Sequence, residues 1–487
     1  MYHKHRPMNL LYLFSDQHSR EVLGCYGNKY VHTPNLDRLG RQGTIFKNAY
    51  TNNPICVPAR ASMTIGDYCF KHSYWDNAHP YYGKEEGWGH RLTQQGYKVT
   101  TIGKLHYKDN IPETGFADQR IPLHVRNKTG DLTHFIRDGS ILRPYLCGEV
   151  VQAGEGDSEY LQYDDKVARL AVDFLKNETR AAEKPWCLFV GFVCPHFPWR
   201  VPKDIMDLYR PYDKLPFPKG WSKNVRPMHP ALELIRHEMC IQDLDDDAIR
   251  KAVAAYYGMV TYVDRQIGRI LDALEAEGLA DNTRIIYTDD HGDTVGDHGL
   301  FFKHTMYEGS VGVPMILSGP DIPKGKIVED DVSLIDIFPT VMDCVGAKLK
   351  PEDKNLPGLS LLDMAKKQDG KLLRRPIFSE YHNIGSDHAS FMIKHGDYKL
   401  IHYVTYEPQL FNLREDPDEL HDLAKDPNYQ TILQSLEAEL NKICDPVKVD
   451  KEAKDDQARM LAQAGGKEAI LKYYHPVTYS PVPDDAI

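Results

Sequence analysis

The chain has 487 residues, of which 41% are hydrophobic and 26% are charged. This composition is close to that of ordinary globular proteins and excludes a chain that is disordered throughout. Asp and Glu number 70 against 59 Lys and Arg, a formal net charge of -11, and this shortage of basic residues argues against nucleic acid as a partner.

Length and cysteine content indicate more than one domain and reduced thiols. A single hydrophobic core stops growing at roughly 250 to 300 residues, and we predict domains at residues 1–372 and 373–487. Nine cysteines without a Cys-x-x-Cys pair do not resemble a disulfide framework. The run Leu10 to Phe14 is too short for a signal-peptide core, and no apolar stretch approaches the ~20 residues of a membrane span. These features predict a cytoplasmic protein without a membrane partner.

Four short apolar runs that end abruptly in polar residues are predicted to be buried strands. They are Leu10 to Ser15, Val99 to Ile102, Cys187 to Val193, and Arg284 to Thr288. Helical patterns lie between them, for example from Val167 to Leu175 and from Tyr256 to Leu274. Alternating strands and helices favour an α/β fold, a mostly parallel sheet sandwiched by helices, in which ligands collect at the carboxyl ends of the strands.

Polar side chains follow each of the four runs. In chain order they are Asp16 with Gln17, Lys104 with His106, His196, and Asp290 with His291. Because the carboxyl ends of parallel strands lie at one edge of a sheet, we expect these side chains to share one site. Asp16, Asp290 and His291, with Gln17, suit a divalent cation such as calcium or manganese. Any one of these aspartates could instead cap a helix or turn, but two strand ends together favour a metal.

Cys56 lies where a loop is predicted to enter a helix. Pro58 fits the first turn of that helix, and Arg60, one turn beyond Cys56, is a permanent cation on the same face. These residues by themselves leave two interpretations open, a small residue of the core and a thiolate nucleophile.

The sequence pattern changes from about Ile377. Alternating strands follow, with a turn at His395-Gly396-Asp397 inside Ser390 to Val404. A helix is predicted at about Gln430 to Ile443, and a charged tail then ends in Ser480-Pro481-Val482-Pro483. We predict a smaller C-terminal α+β domain on an antiparallel sheet. The tail carries no readable chemistry, although it could contact a second copy of the chain in a homo-oligomer.

The motif Cys56-x-Pro58-x-Arg60 resembles the signature of the sulfatases, in the alkaline phosphatase superfamily. Other segments match in the expected order: Ser15-Asp16-Gln17, Gly103-Lys104-Leu105-His106, Pro195-His196-Phe197-Pro198, Asp290-His291-Gly292-Asp293, and Gly296-Asp297-His298-Gly299-Leu300 with Lys303. The resemblance extends to about Leu423 and implies an alkaline-phosphatase-like fold. Three segments are most similar to the branch of choline sulfatases and phosphonate monoester hydrolases: Asp16-Gln17, Asp76-Asn77, and Glu380 through Tyr398-Lys399-Leu400-Ile401.

In this family a separate formylglycine-generating enzyme oxidises the motif cysteine, and the hydrated aldehyde supplies the attacking oxygen. That enzyme is therefore an expected partner during maturation. The resemblance also implies one divalent metal ion, calcium or manganese. The implied ligands are Asp16, Gln17, Cys56, Asp290 and His291. Gln17 stands where many members have Asp and His291 where many have Asn, while Ala59 replaces Ser and Ile65 replaces Thr beside an intact Cys-x-Pro-x-Arg motif.

The remaining catalytic roles are also carried over from the resemblance. Arg60 would hold the hydrated aldehyde, and Lys104 and Lys303 would neutralise charge on the sulfuryl oxygens. His196 would protonate the leaving alcohol, and His106 would remove the proton whose loss releases sulfate. Substrate contacts are implied for Asn77, which would orient the ester, and for Lys104, His196 and Lys303.

These residues predict an enzyme that hydrolyses sulfate monoesters, an arylsulfatase or a choline-sulfatase-like protein. A phosphonate monoester or phosphodiester hydrolase would use the same residues, but phosphonate hydrolases of the related branch place uncharged hydroxyl residues where Lys104 and His106 stand. A non-catalytic binding protein is disfavoured because the metal, cation and acid-base positions are all filled. Trp75, Trp88 and Trp199 could form an aromatic face for a quaternary ammonium, although tryptophans more often pack in cores.

Overall fold

The computed structural model describes residues 5–109, 112–116, 118–179, 184–222, 224–368, 371–472 and 480–486. Its strands are β1 (Asn9–Asp16), β2 (Gly43–Tyr50), β3 (Lys98–Lys104), β4 (Asp118–Leu123), β5 (Gly154–Glu155), β6 (Trp186–Pro195), β7 (Arg200–Val201), β8 (Thr283–Asp289), β9 (Met315–Ser318), β10 (Lys326–Ser333), β11 (Ile377–Tyr381), β12 (Ser390–His395), β13 (Tyr398–Tyr403) and β14 (Gln409–Asn412). Its α-helices are α1 (Pro34–Gln42), α2 (Cys56–Ile65), α3 (Trp88–Gln94), α4 (Pro144–Gln152), α5 (Glu159–Asn177), α6 (Lys203–Met206), α7 (Pro230–Met239), α8 (Asp246–Ala276), α9 (Glu308–Val311), α10 (Ile337–Val345), α11 (Leu361–Lys366), α12 (Gln430–Ile443), α13 (Pro446–Gln463) and α14 (Lys467–Lys472).

The large sheet has the strand order β10-β2-β9-β8-β1-β6-β3-β4. Strand β9 runs antiparallel to β2 and β8, and the other neighbouring pairs are parallel. The four apolar runs of the sequence form β1, β3, β6 and β8, and these strands are consecutive neighbours within the sheet. The predicted fold class, a mostly parallel sheet between helices, is confirmed.

The burial of β1 explains why its sequence is apolar without alternation. Successive side chains of a strand point to opposite faces of the sheet. Leu11 and Leu13 pack into a core shared with α5 and α8, whereas Leu10, Tyr12 and Phe14 pack into a second core shared with α2, α3 and α10. Both faces of β1 are therefore covered, as expected for the centre of a parallel sheet.

The C-terminal part contains a separate antiparallel sheet, in the order β11-β12-β13-β14. His395 pairs with Tyr398, so the predicted turn lies at Gly396-Asp397. Helix α12 has the predicted bounds and packs Leu436 and Leu440 into one core with β12 and β13. This arrangement confirms the predicted α+β unit, while the division of the chain at residues 372 and 373 stays a prediction.

The charged tail contains two helices that the sequence analysis did not predict. It forms α13 and α14, and residues 480–486 then return to the larger part of the molecule, where Val482 and Ala486 are buried in the same core as α5. Contact with a second copy of the chain stays a prediction. Among the described residues, no helix combines the length and the apolar character that crossing a bilayer requires, and a cytoplasmic location also stays a prediction.

Candidate active site

The polar residues at the carboxyl ends of β8, β1, β6 and β3 lie together at one edge of the large sheet. Lys104 Nζ is 2.7 Å from Asp16 Oδ2, and the backbone N–H of Gln17 donates to Asp290 Oδ1 at 3.2 Å. Asp16, Lys104 and Asp290 are each at most 2% exposed. The parallel sheet therefore creates a buried, charged site from segments that are far apart in the sequence.

The backbone at this edge adopts conformations that are unusual for residues with side chains. Gln17 and His106 have φ angles of 70° and 62°, in the left-handed region that non-glycine residues rarely occupy. Just before Lys104, a Cβ on Gly103 would lie 2.1 Å from the carbonyl oxygen of Gly191 on the neighbouring strand. Only glycine allows β3 and β6 to approach this closely, and the approach directs Lys104 and His106 into the site.

Arg60 lies on α2, one turn beyond Cys56, and binds both carboxylates of the site. Its Nε donates to Asp290 Oδ2 and a terminal nitrogen donates to Asp16 Oδ2, each at 2.8 Å. The guanidinium also donates to the carbonyl oxygens of Lys104 and Ser15. Burial alone would lower the pKa of Arg60, but Asp290 and Asp16 outweigh it and raise the pKa. Arg60 thus holds the two carboxylates at a fixed separation, and its implied contact with a hydrated aldehyde stays a prediction.

Cys56 is the first residue of α2 and is 1% exposed. Its Sγ lies 3.2 Å from His291 Nε2, 3.4 Å from Lys303 Nζ and 3.7 Å from Asp16 Oδ1. Burial, followed by the charge of Asp16, raises the pKa of the thiol to about 12. The surrounding protein groups by themselves therefore do not stabilise a thiolate at Cys56.

The donor atoms around Cys56 fit one divalent cation. Asp16, Cys56, Asp290 and His291 each offer one ligand atom, and these atoms all lie within 4.8 Å of one another. Two oxygen ligands of one calcium ion, each bound at 2.3 to 2.6 Å, are at most about 5 Å apart. Carboxylate oxygens with one imidazole suit calcium or manganese. An oxygen on the side chain of residue 56 would occupy the position that Sγ occupies here.

His291 is held in an orientation that agrees with this donor set, and the Gln17 side chain connects Lys303 to Asp293 beside it. His291 Nδ1 donates to the carbonyl oxygen of Gly292 at 3.0 Å, which leaves the Nε2 lone pair on the side of the cluster. Burial lowers the pKa of His291 to about 4, so the imidazole is neutral, as a metal ligand must be. Gln17 accepts a hydrogen bond from Lys303 Nζ at 2.7 Å and donates to Asp293 Oδ2 at 2.6 Å.

Charges within the site keep Asp16 ionised. Burial would raise its pKa, but Lys104 and Arg60 outweigh burial and hold the pKa well below 3.8. Asp289, the last residue of β8, behaves in the opposite way, because burial and then Asp290 raise its pKa well above 3.8. It accepts a hydrogen bond from Ser15. Asp289 therefore supports the end of β1 through Ser15. No sequence signal distinguished Asp289 from Asp290.

Asp293, which the sequence analysis found only as part of a motif, stabilises the loop before Lys303. Its carboxylate accepts hydrogen bonds from the backbone N–H groups of Val295 and Phe302, at 2.7 and 2.9 Å. Burial raises the pKa of Asp293 to about 6. Because Phe302 precedes Lys303, this carboxylate fixes the loop that places the Lys303 ammonium beside Cys56.

His196 and His106 are buried and neutral. His196 Nδ1 donates to the carbonyl oxygen of Phe197 at 2.7 Å, and the ring stacks on that of Phe197. Burial and then Lys303 lower the pKa of His196 well below 6.5. For His106, burial and then Lys104 lower the pKa well below 6.5. His106 Nε2 lies 2.8 Å from Ser480 Oγ, a contact that sequence analysis did not indicate.

A cavity of about 80 Å³ lies above Cys56. Its lining includes the expected Asn77, whose Oδ1 also accepts a hydrogen bond from the backbone N–H of Val57 at 3.0 Å. Asn77 thus holds the first turn of α2 in place. Other lining residues were not found from the sequence because they lie outside its motifs and strand ends: Asp131, His134, Tyr145, Tyr160, His304 and Ser480.

The aromatic face that three tryptophans could have formed is not found among the described residues of this cavity. Trp75, Trp88 and Trp199 are each at most 1% exposed, and none is among the described residues that line the cavity. Trp75 donates to Asp456, and Trp199 stacks on Phe302. Of the two interpretations, packing in the hydrophobic cores applies to all three rings, and the quaternary-ammonium site is excluded for them.

Most of the chain is similar to known proteins. A family model described as Sulfatase matches residues 8–347, and one described as the C-terminal part of N-sulphoglucosamine sulphohydrolase matches residues 296–445. A choline-sulfatase of Rhizobium meliloti (strain 1021) is 29% identical over 428 residues, which cover 86% of this chain and 83% of that protein. An arylsulfatase of Clostridium perfringens (strain 13 / Type A) is 31% identical over 465 residues, which cover 88% of this chain and 92% of that protein.

The fold also matches solved structures. The phosphonate monoester hydrolase of Agrobacterium radiobacter superposes with a TM-score of 0.72 at 24% identity, covering 90% of this chain and 95% of that one. Both kinds of protein named for the related branch, choline sulfatases and phosphonate monoester hydrolases, are thus among the similar proteins. The resemblance inferred from the motifs is confirmed.

Proposed function

This chain belongs to the sulfatase family and is a sulfuric ester hydrolase, and we propose that it cleaves sulfate monoesters with a formylglycine made from Cys56 and one divalent cation. The observation that carries this proposal is the position of the Cys56 side chain. It lies at the start of α2, within 3.7 Å of His291, Lys303 and Asp16. An oxygen nucleophile at this position would contact a metal and an ammonium group together.

Asp16, Asp290 and His291 would hold the cation, with the amide oxygen of Gln17 and the side chain of residue 56 as further ligands. Bound there, the cation and the hydrated formylglycine supply a polarised sulfuryl group and an activated hydroxyl. Arg60 holds the carboxylates of Asp16 and Asp290 in the positions that metal binding requires.

Two buried lysines would stabilise the charge that develops on the sulfuryl oxygens. Lys303 Nζ lies 3.4 Å from Cys56 Sγ, and Lys104 Nζ, at the end of β3, is paired with Asp16 at the end of β1. Fixed cations in a buried site need no reorganisation when charge develops, which makes them effective in the transition state.

His196 would donate the proton that the leaving alcohol requires. Its Nδ1 is bound to the Phe197 carbonyl oxygen, so Nε2 is the nitrogen left for the substrate. Because burial and Lys303 keep its pKa well below 6.5 in the free protein, His196 must take up its proton when the anionic ester binds, since negative charge nearby favours the imidazolium. His106 would act afterwards as the base whose proton uptake releases sulfate.

Preference for sulfate over phosphonate rests on Lys104 and His106. Both are buried and line the cavity above Cys56. A sulfate monoester carries no carbon substituent on its central atom and needs no additional space there, unlike a phosphonate.

The test begins with protein produced together with a formylglycine-generating enzyme, and peptide mass spectrometry of residue 56. We expect formylglycine at position 56 and a higher kcat/KM for an aryl sulfate than for the matching aryl phosphonate. Cys56→Ala should be inactive, whereas Cys25→Ala, a half-buried cysteine outside the site, should retain activity. Wild-type turnover in Cys56→Ala would exclude the proposed nucleophile, and faster phosphonate hydrolysis would favour the alternative activity.

A further inference from the structure

Residues 480–486 return to the active-site cavity although they are remote from it in the sequence. Ser480 Oγ lies 2.8 Å from His106 Nε2, and both residues line the cavity above Cys56. The hydroxyl group of Tyr160, on α5, donates a hydrogen bond to the carbonyl oxygen of Ser480 at 2.9 Å. The catalytic roles carried over from the family do not use this segment.

Contacts that do not involve His106 set the position of Ser480. Val482 is 8% exposed and Ala486 is 0% exposed, and both belong to the same hydrophobic core as Leu161 of α5. The backbone N–H of Ala486 donates to the carbonyl oxygen of Pro483 at 2.8 Å, which closes a turn in the segment. Ser480 is therefore a pre-positioned partner for the imidazole rather than a side chain that the imidazole itself orders.

The second ring nitrogen decides which way the hydrogen bond runs. His106 Nδ1 is buried and has no hydrogen-bond partner among the described residues. A buried N–H without an acceptor is rarer in proteins than an acceptor without a donor. The neutral ring therefore carries its proton on Nε2, and this N–H donates a hydrogen bond to Ser480 Oγ. Nδ1 keeps its lone pair.

We propose that Ser480 is a positioning residue that fixes the tautomer of His106 and leaves Nδ1 as the base. The inference rests on the proposed function, in which His106 acts in the release of sulfate. Nδ1 would take the proton from the hydroxyl on the carbon of residue 56, and the electron pair of that O–H bond would form the C=O bond of the aldehyde. The bond from the same carbon to the sulfate oxygen would break, and sulfate would leave with the electron pair of that bond. Ser480 Oγ accepts a hydrogen bond from Nε2–H throughout, as a partner that orients a catalytic imidazole does.

The kinetic test compares Ser480→Ala and Ser480→Thr in protein that carries formylglycine. Ser480→Ala should lower kcat roughly 10- to 100-fold, the range typical of lost orienting partners, without raising KM. Ser480→Thr keeps a hydroxyl and should restore most of kcat. Asp484→Asn, at an exposed position of the same segment, is the matched control and should match the wild type. In a His106→Gln background, Ser480→Ala should add little further loss.

A second measurement does not depend on activity. Protein labelled with 15N-histidine, with Cys56 unconverted, is compared with His106→Gln to assign the His106 ring signals. We expect the neutral tautomer protonated at Nε2 in the wild type and a changed tautomer population in Ser480→Ala. A wild-type ring protonated at Nδ1, or unchanged kcat and ring signals in Ser480→Ala, would overturn the proposal. If the ring signals follow Ser480 while converted protein hydrolyses no sulfate ester, the Ser480 assignment is supported and the proposed function fails.

Discussion

Replacing Arg60 with lysine is expected to destabilise the protein, and added calcium should partly reverse the effect. The arginine donates to Asp290 and Asp16 at 2.8 Å each and also binds two backbone carbonyl oxygens, while being 1% exposed. Lysine keeps the charge but has no planar fork, so it cannot bind both carboxylates in the same geometry. One carboxylate is then left buried without its partner.

The size of the effect follows from this burial. Removing one partner of a buried ion pair costs about 3 to 5 kcal/mol, because the remaining charge stays in a low-dielectric environment. A divalent cation bound to the same carboxylates supplies the missing positive charge. At a concentration 100 times its Kd, a ligand that binds only the folded state stabilises it by about 2.7 kcal/mol. Calcium stabilises the wild type through the same site, but it should bind Arg60→Lys more tightly because it compensates the unpaired carboxylate. Each tenfold lower Kd in the variant narrows the difference in stability by about 1.4 kcal/mol.

The assay is urea unfolding with a chelator and with calcium, followed by fluorescence. Arg284→Lys is the matched control, because Arg284 is 0% exposed and binds Asp321 at 3.0 and 2.6 Å away from the active site. With the chelator, both variants should unfold at a lower urea concentration than the wild type. Added calcium should reduce this difference in unfolding midpoint for Arg60→Lys but not for Arg284→Lys. Equal unfolding midpoints for Arg60→Lys and wild type, or an unchanged gap with calcium, would refute the assigned role of Arg60.

Asp290→Ala should abolish stoichiometric binding of a divalent cation, measured by elemental analysis, because it removes one carboxylate of the ligand cluster. Lys104→Ala should lower kcat and kcat/KM for an aryl sulfate together, by roughly 10² to 10³, because its fixed ammonium acts mainly in the transition state. His72→Gln should destabilise the protein at pH 6 but hardly at pH 10, as measured by urea unfolding. Burial alone would lower the pKa of His72, but Asp67 and Glu85 raise it from 6.5 to about 9. Its contribution is therefore complete below pH 6.5 and lost as the pH rises through 9, and partial exposure limits it to about 1 to 2 kcal/mol.

Each of these outcomes has a result that would contradict it. Asp363→Ala, in a second group of acidic and histidine side chains with His5 and Asp343, should leave the metal content unchanged, and retention of full metal in Asp290→Ala would exclude the assigned ligand set. A Lys104→Ala variant that raises KM at constant kcat would place Lys104 in substrate binding only. A destabilisation of His72→Gln that persists unchanged at pH 10 would exclude an ionic contribution.

Local sequence patterns were sufficient for the elements that carry the site. The runs that became β1, β3, β6 and β8 were recognisable because these strands are buried on both faces and are therefore mostly apolar. The polar residues that follow them were recognisable because that apolar pattern stops at the edge of the sheet. Helix α12 was predicted with its observed bounds from a regular apolar stripe. The chemistry assigned to Cys56 needed the family motif, since the residues alone left two interpretations open.

Tertiary structure decided which side chains meet. His106 and Ser480 are 374 positions apart, and no periodicity or spacing relates them, because their contact arises from the packing of the tail against α5. The sequence left two interpretations of the tryptophans open for the same reason, since a sequence does not show whether a ring faces a core or a cavity. Arg60 was correctly placed near Cys56 by helical spacing, but its bonds to Asp16 and Asp290 depend on how α2 lies across two strand ends. Secondary structure is encoded over a few residues, whereas the contacts of this site depend on the packing of the whole chain.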